Sequence, residues 1–122
     1  MLIVYGTLLD DDLRAAVLGR RVPVVPLSLR GWRRVFVRRR SYPTLIPWRS
    51  GYVAAARLDG LDDGDWQRLI AYEGAEYALA PVHQDGLDAK IFLAAAGLAS
   101  QRAWTLDAWR RRFKPAALRA AG

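Results

Sequence analysis

Apolar positions come in short runs and stripes along this chain, and their spacing predicts its elements. Leu2-Ile3-Val4-Tyr5 is continuously apolar and reads as a short buried strand, broken by Gly6 and Thr7. Leu13, Ala16 and Val17 give an apolar helical face after Asp10, Asp11 and Asp12, and Gly19 ends that helix. A metal site is one reading of the Asp triplet, but three adjacent acids on a helix start point different ways, and capping its free N–H groups is the favoured role. Pro23 to Leu29 reads as an irregular edge segment, because two prolines deny a ladder its donors. Trp32 to Val37 alternates as a strand, with Trp32, Arg34 and Phe36 on one face and Arg33, Val35 and Val37 on the other. Arg38-Arg39-Arg40 is a solvated loop, Ser41 to Pro47 a short extended piece, and Gly51 to Leu58 a strand of small residues. Tyr77 to Gln84 and Leu87 to Ala94 form a hairpin around Asp85-Gly86. Thr105 caps a last helix whose Leu106, Trp109 and Phe113 face inward, with Arg110, Arg111 and Arg112 mainly off that stripe. The order predicts one α+β domain over residues 1–122, with a largely antiparallel or mixed sheet.

One further helix, Asp62 to Tyr72, organises the rest. Asp62 is its N-cap, Asp63 and Asp65 are acids in its first turn, and Gly74 stops it. Trp66, Leu69 and Ile70 lie seven, four and three positions before Glu73, the spacing of one helical face. That stripe carries Glu73 toward the core, where burial raises a carboxylate pKa into the range useful for proton transfer. The competing reading frays the helix at Tyr72 and turns Glu73 into water, and periodicity alone weighs the two evenly. Glu76 alternates with Tyr77 and is expected to face away.

Composition narrows the chemistry. The 122 residues are 52% hydrophobic and 25% charged, as in a soluble globular domain with room for a core. No apolar run is long enough for a bilayer, and Met1 leads straight into the first strand without a basic segment, so a cytoplasmic location without a signal peptide is expected. The absence of cysteine excludes disulfides, thiolate metal sites and a cysteine nucleophile. A single histidine, His83, excludes multi-histidine metal sites and is taken as a surface or structural residue. The net charge of +7 invites a nucleic-acid partner, but nearly all of it is arginine in an Ala-, Leu- and Trp-rich chain, a compositional bias that weakens the inference.

Val4-Tyr5-Gly6-Thr7-Leu8 has one glycine and no lysine in place, so it is neither a Walker loop nor a dinucleotide fingerprint. It is a strand end turning at glycine, where successive backbone N–H groups can take a small anion such as a carboxylate. With Leu18-Gly19-Arg20, Gly31-Trp32-Arg33-Arg34, Tyr42-Pro43, Gly60-Leu61, Tyr72-Glu73-Gly74-x-x-Tyr77 and Trp104-Thr105-Leu106-Asp107-Ala108-Trp109, it forms an ordered set over nearly the whole chain. The set resembles the gamma-glutamylcyclotransferase-like family, which includes plant avirulence-induced proteins and gamma-glutamylamine cyclotransferases.

The resemblance implies a small mixed, mostly antiparallel β-barrel flanked by helices, with a cavity at one end. It implies cyclisation of a small γ-glutamyl amine or peptide to 5-oxoproline, with no cofactor and no metal. Carried over residue by residue, Glu73 is the acid/base; Tyr5, Gly6, Thr7 and Leu8 form the substrate-binding turn; Tyr77 is a cavity wall or hydrogen-bond donor. Two differences lie near that cavity: Ala78-Leu79-Ala80-Pro81 follows where members often carry an arginine, and Ala54-Ala55-Ala56 replaces glycine and larger aliphatics. Both bear on substrate choice. A non-catalytic small-molecule-binding domain is the alternative, and a nucleic-acid binder using Trp32-Arg33-Arg34 and Arg38-Arg39-Arg40 is the third reading, disfavoured because the strand's aromatics are expected to pack inward. Oligomeric state and the identity of the γ-glutamyl compound are left open by the sequence.

Overall fold

The computed structural model describes residues 1–121. Strands β1 (Leu2–Val4), β2 (Val25–Val37), β3 (Pro43–Leu58), β4 (Tyr77–Gln84), β5 (Leu87–Ala94) and β6 (Ala99–Ala103) form one sheet in the order β4-β5-β1-β3-β2-β6. All pairings are antiparallel except β1 with β5. Helices α1 (Asp11–Leu18), α2 (Asp63–Glu73), α3 (Leu106–Arg112) and α4 (Lys114–Ala121) flank it. The expected mixed, mostly antiparallel sheet with flanking helices is present as a curled half-barrel with β4 and β6 at its edges. No helix of the described residues is long and apolar enough to cross a membrane.

The central strand explains its own sequence. β1 is buried along its length and its side chains go alternately to two cores. Leu2 and Val4 join Leu18, Leu58 and Leu69 beneath α1 and α2, whereas Ile3 and Tyr5 join Leu29, Val53, Val82 and Ile91 on the other side. A strand covered on both faces cannot alternate with polar residues, hence the unbroken Leu-Ile-Val-Tyr run. Burying each such side chain is worth roughly 1.5–3 kcal/mol.

Three expectations change. Val25 to Leu29 is not irregular: it opens β2 and pairs regularly with β3 from Val25 opposite Arg57. Pro26 is tolerated because β6 pairs only with the Val35–Val37 end, leaving the other side of Pro26 without a ladder. The two extended pieces Ser41–Pro47 and Gly51–Leu58 are one strand, β3, whose register jumps where Arg30 pairs with Tyr52 but Trp32 with Pro47. The last helix is two, because α3 ends at Arg112, after which Phe113 leaves helical geometry and α4 begins at Lys114. Asp10 caps α1 by accepting from the Leu13 N–H at 3.0 Å, as expected, and also receives Arg110 and Lys114 at 2.9 Å each, tying the C-terminal helices to α1. Arg110 is therefore ion-paired although it remains exposed.

Candidate active site

Helix α2 is set by its first turn. The Asp62 carboxylate accepts from the Asp65 N–H at 2.7 Å and Asp65 accepts from the Asp62 N–H at 3.1 Å, a reciprocal capping box. Leu69 is fully buried and fixes the inward face, but Ile70 is half-exposed and does not belong to it. At 100° per residue, Ile70 lies about 100° from Leu69, while Trp66, Tyr72 and Glu73 lie within about 60° of it. The inward stripe is thus narrower than the sequence predicts, and Glu73 is still on it. Gly74, at φ +76°, ends the helix with its N–H on the Ile70 carbonyl at 3.0 Å.

The C-terminal end of α2 meets the end of β1 at a cavity of about 220 Å³. Chain leaving β1 turns at Gly6 into a single 3-10 turn, Thr7–Leu9, whose first hydrogen bond is Leu9 N–H to Gly6 O at 3.0 Å. The N–H groups of Gly6, Thr7 and Leu8 precede that bond, and among the described residues no backbone acceptor outside the regular elements takes them. Glycine is required at position 6 by close approach: a Cβ there would lie 2.6 Å from Pro43 Cγ.

All six residues singled out from the sequence line this one cavity: Tyr5, Gly6, Thr7, Leu8, Glu73 and Tyr77. Glu73 is half-buried there, and burial pushes its carboxyl up to about 8. The Tyr5 hydroxyl donates to the Phe92 carbonyl at 2.5 Å and the Tyr77 hydroxyl to the Pro43 carbonyl at 2.6 Å. Their donors are thus committed to the scaffold, and both rings serve as walls. Burial first, then the charge of Glu73, raises the Tyr5 phenol; burial and neighbouring Tyr5 and Glu73 do the same for Tyr77.

Sequence reasoning gave no site role to Tyr42, Pro43, Tyr72 or Phe92, which also line the cavity. Tyr72 exchanges a hydrogen bond with Thr7 Oγ1 at 2.7 Å and, mainly through burial, is pushed up to about 12. That bond staples α2 to the turn. The signal was available: Tyr72 is adjacent to Glu73 and, like it, lies within about 60° of Leu69 on the helix. Glu76 faces away, as expected, and takes a hydrogen bond from Tyr42 and an ion pair with Arg40 at 3.2 Å. His83 lies exposed on β4 with Asp88 at 2.5 Å, apart from the cavity. Among the described residues no three His, Cys, Asp or Glu side chains gather in a set that could hold a metal ion.

The chain matches the model of a family described as "Gamma-glutamyl cyclotransferase, AIG2-like" over residues 2–111. Arabidopsis thaliana AIG2-like protein A is 34% identical over 74 residues, 61% of this chain and 45% of that protein. Protein AIG2 C of the same plant is 28% identical over 85 residues, 70% of this chain and 52% of that one, so the match spans about half the length of these relatives. Two solved structures share the fold. A solution structure of an Arabidopsis thaliana protein superposes with a TM-score of 0.66 at 21% identity, covering 98% of this chain and 77% of that one. A crystal structure of an uncharacterized Pyrococcus horikoshii protein gives 0.63 at 16% identity, covering 94% of each chain. With sequence, fold and cavity in agreement, this chain belongs to the gamma-glutamyl cyclotransferase, AIG2-like family.

Proposed function

We propose that the protein cyclises the γ-glutamyl group of a small γ-glutamyl amine or peptide to 5-oxoproline, with Glu73 as acid/base. The observation that carries this reading is Glu73 itself: among the described residues it is the only acidic or basic residue lining the cavity, and its carboxyl is raised to about 8. A group that takes and returns a proton near neutral pH needs a pKa in this range.

The substrate supplies its own nucleophile. Glu73 takes a proton from the α-ammonium, and the neutral α-amine attacks the γ-carbonyl carbon to form the ring C–N bond. Glu73 then returns the proton to the amide nitrogen as the old C–N bond breaks, releasing the amine. A second proton passes from the ring nitrogen through solvent to the released amine, which leaves as its ammonium, and the ring nitrogen keeps one hydrogen in 5-oxoproline. The N–H groups of Gly6, Thr7 and Leu8 hold the α-carboxylate, and the Tyr5, Tyr72 and Tyr77 rings keep the substrate folded. Holding amine and carbonyl together supplies much of the rate. Tyr5, Tyr42, Tyr72, Tyr77 and Phe92 put five aromatic rings in the wall, which hold the leaving amine largely by shape.

The test is 5-oxoproline release from a panel of γ-glutamyl amines and dipeptides, with wild type and Glu73→Gln. Release by wild type and its collapse in the variant are expected. Binding of a panel member by both proteins without release from either would replace the enzyme with the non-catalytic binding domain.

A further inference from the structure

Arg34 lies on β2, half-buried, and among the described residues it has no acidic partner. A guanidinium withdrawn from water without a counter-charge is costly unless its donors are used. Here they are given to carbonyls: Tyr5 O at 2.8 Å, Trp104 O at 3.2 Å and Ala54 O at 3.5 Å. The guanidinium carbon also stands 5.1 Å from the centre of the Trp104 ring, a cation–π contact. Trp104 is itself fixed by its indole N–H on the Ser41 carbonyl at 2.8 Å, so Arg34 sits in a rigid seat.

The Tyr5 carbonyl is the contact that reaches the cavity. No cis peptide occurs in the described chain, so the Tyr5 C=O and the Gly6 N–H point in opposite directions across one plane. Arg34 takes that oxygen from a cleft lined by Trp32, Trp48, Tyr52 and Trp104, which shares no lining residue with the cavity. The Gly6 N–H is therefore directed away from that cleft, Gly6 lines the cavity, and among the described residues no backbone acceptor outside the regular elements takes this N–H. A cation on the carbonyl end of a peptide also polarises it, strengthening the N–H as a donor.

We propose that Arg34 is a positioning residue: it locks the Tyr5–Gly6 peptide so that the Gly6 N–H faces the cavity and receives the substrate's α-carboxylate. The inference rests on the cyclotransferase reading for the identity of the anion, but not for the direction of the amide.

The experiment compares wild type, Arg34→Met and Arg34→Lys on a γ-glutamyl amide substrate and on its analogue with a carboxamide in place of the α-carboxylate. The expected loss in Arg34→Met is about 10–100-fold in kcat/KM for the carboxylate substrate, carried mainly by KM. The carboxamide analogue is affected much less, so the preference for carboxylate collapses, and Arg34→Lys restores part of it. A folded Arg34→Met with unchanged preference overturns the proposal. If Arg34→Met does not fold, Arg34→Lys decides, since a reduced preference supports the proposal and an unchanged one overturns it. An activity-independent arm titrates 5-oxoproline into 15N-labelled protein. The Gly6 amide resonance should move in wild type and fail to move in Arg34→Met. A wild type that releases no product but shows this shift sinks the catalytic reading alone; no Gly6 shift in wild type overturns the role of Arg34.

Discussion

The two ends of α2 each carry a carboxylate drawn out of water, and they are treated in opposite ways. Asp65, in the first turn, is 1% exposed and fully partnered: it accepts from the Asp62 N–H and pairs with Arg20 and with Arg68. Against its desolvation, these contacts hold its carboxyl below the usual range. Glu73, in the last turn, has no such partner among the described residues, and burial moves it the other way, to about 8. The helix dipole adds to the contrast, since it favours an anion at the N-terminus and disfavours one at the C-terminus. A satisfied buried acid builds structure. An unsatisfied one, facing a cavity, is what the proposed proton transfer requires.

The sharpest way to break this comparison is to neutralise Glu73. In Glu73→Gln the release of 5-oxoproline should fall by about 10²–10⁴-fold, the range typical for removing a general acid/base. The fold should survive, because glutamine fills the same space without a charge to bury. A variant that keeps more than a tenth of wild-type turnover would remove Glu73 from the reaction.

The pH dependence of stability should run in opposite directions at the two ends. Glu73 has a folded pKa of about 8 against 4.5 for the free side chain, so between those values the folded state holds a proton that the unfolded state has lost. Its contribution therefore makes stability fall as pH rises from about 4.5 to 8, by an amount on the order of 5 kcal/mol, and level off above that. Comparing urea unfolding of wild type and Glu73→Gln across this window should show the variant gaining relative stability with pH. Asp65 is depressed below 3.8, so its stabilisation is present above that value and is lost as pH falls through its folded pKa. Parallel wild-type and Glu73→Gln profiles would mean that Glu73 is solvated.

Asp65→Ala should then cost roughly 1–3 kcal/mol, from the lost capping box and the abandoned Arg20 and Arg68. Product release by the molecules that remain folded should be close to wild type, because Asp65 lies a helix length from the cavity. Activity lost in a fully folded Asp65→Ala would show that the two ends are coupled through α2.

How much of this was readable beforehand depends on whether the cause was local. The Leu2–Val4 strand, the Asp62 cap, the Gly74 stop and the Asp85-Gly86 hairpin are written in neighbouring residues, and each appears where expected. The inward turn of Glu73 was legible only as one of two even readings, because the stripe that carries it included Ile70, which is 52% exposed. Continuity of β3 was hidden because Pro47 and the register jump near Gly31 interrupt the pattern that signals a strand, while pairing with β2 carries the ladder past both. The walls of the cavity were hidden for a similar reason. Tyr42, Pro43 and Phe92 come from the turn before β3, from β3 and from β5, and only the sheet brings them to Glu73. Arg34 could be placed on a strand face, but a guanidinium that seeks carbonyls rather than carboxylates leaves no mark in a charge count.

The smallest expected effect belongs to the one histidine, and it isolates what the cavity adds. His83 and Asp88 stand 2.5 Å apart on the paired strands β4 and β5, the distance at which a catalytic dyad would be sought. Their side chains are 71% and 83% exposed, so water screens the pair and holds neither group in place. His83→Ala should leave 5-oxoproline release unchanged and move stability by no more than about 0.5 kcal/mol, read from urea unfolding at neutral pH. A tenfold loss of activity would reverse the lesson of α2, because an exposed and partnered group would then be doing chemistry here proposed for the half-buried Glu73.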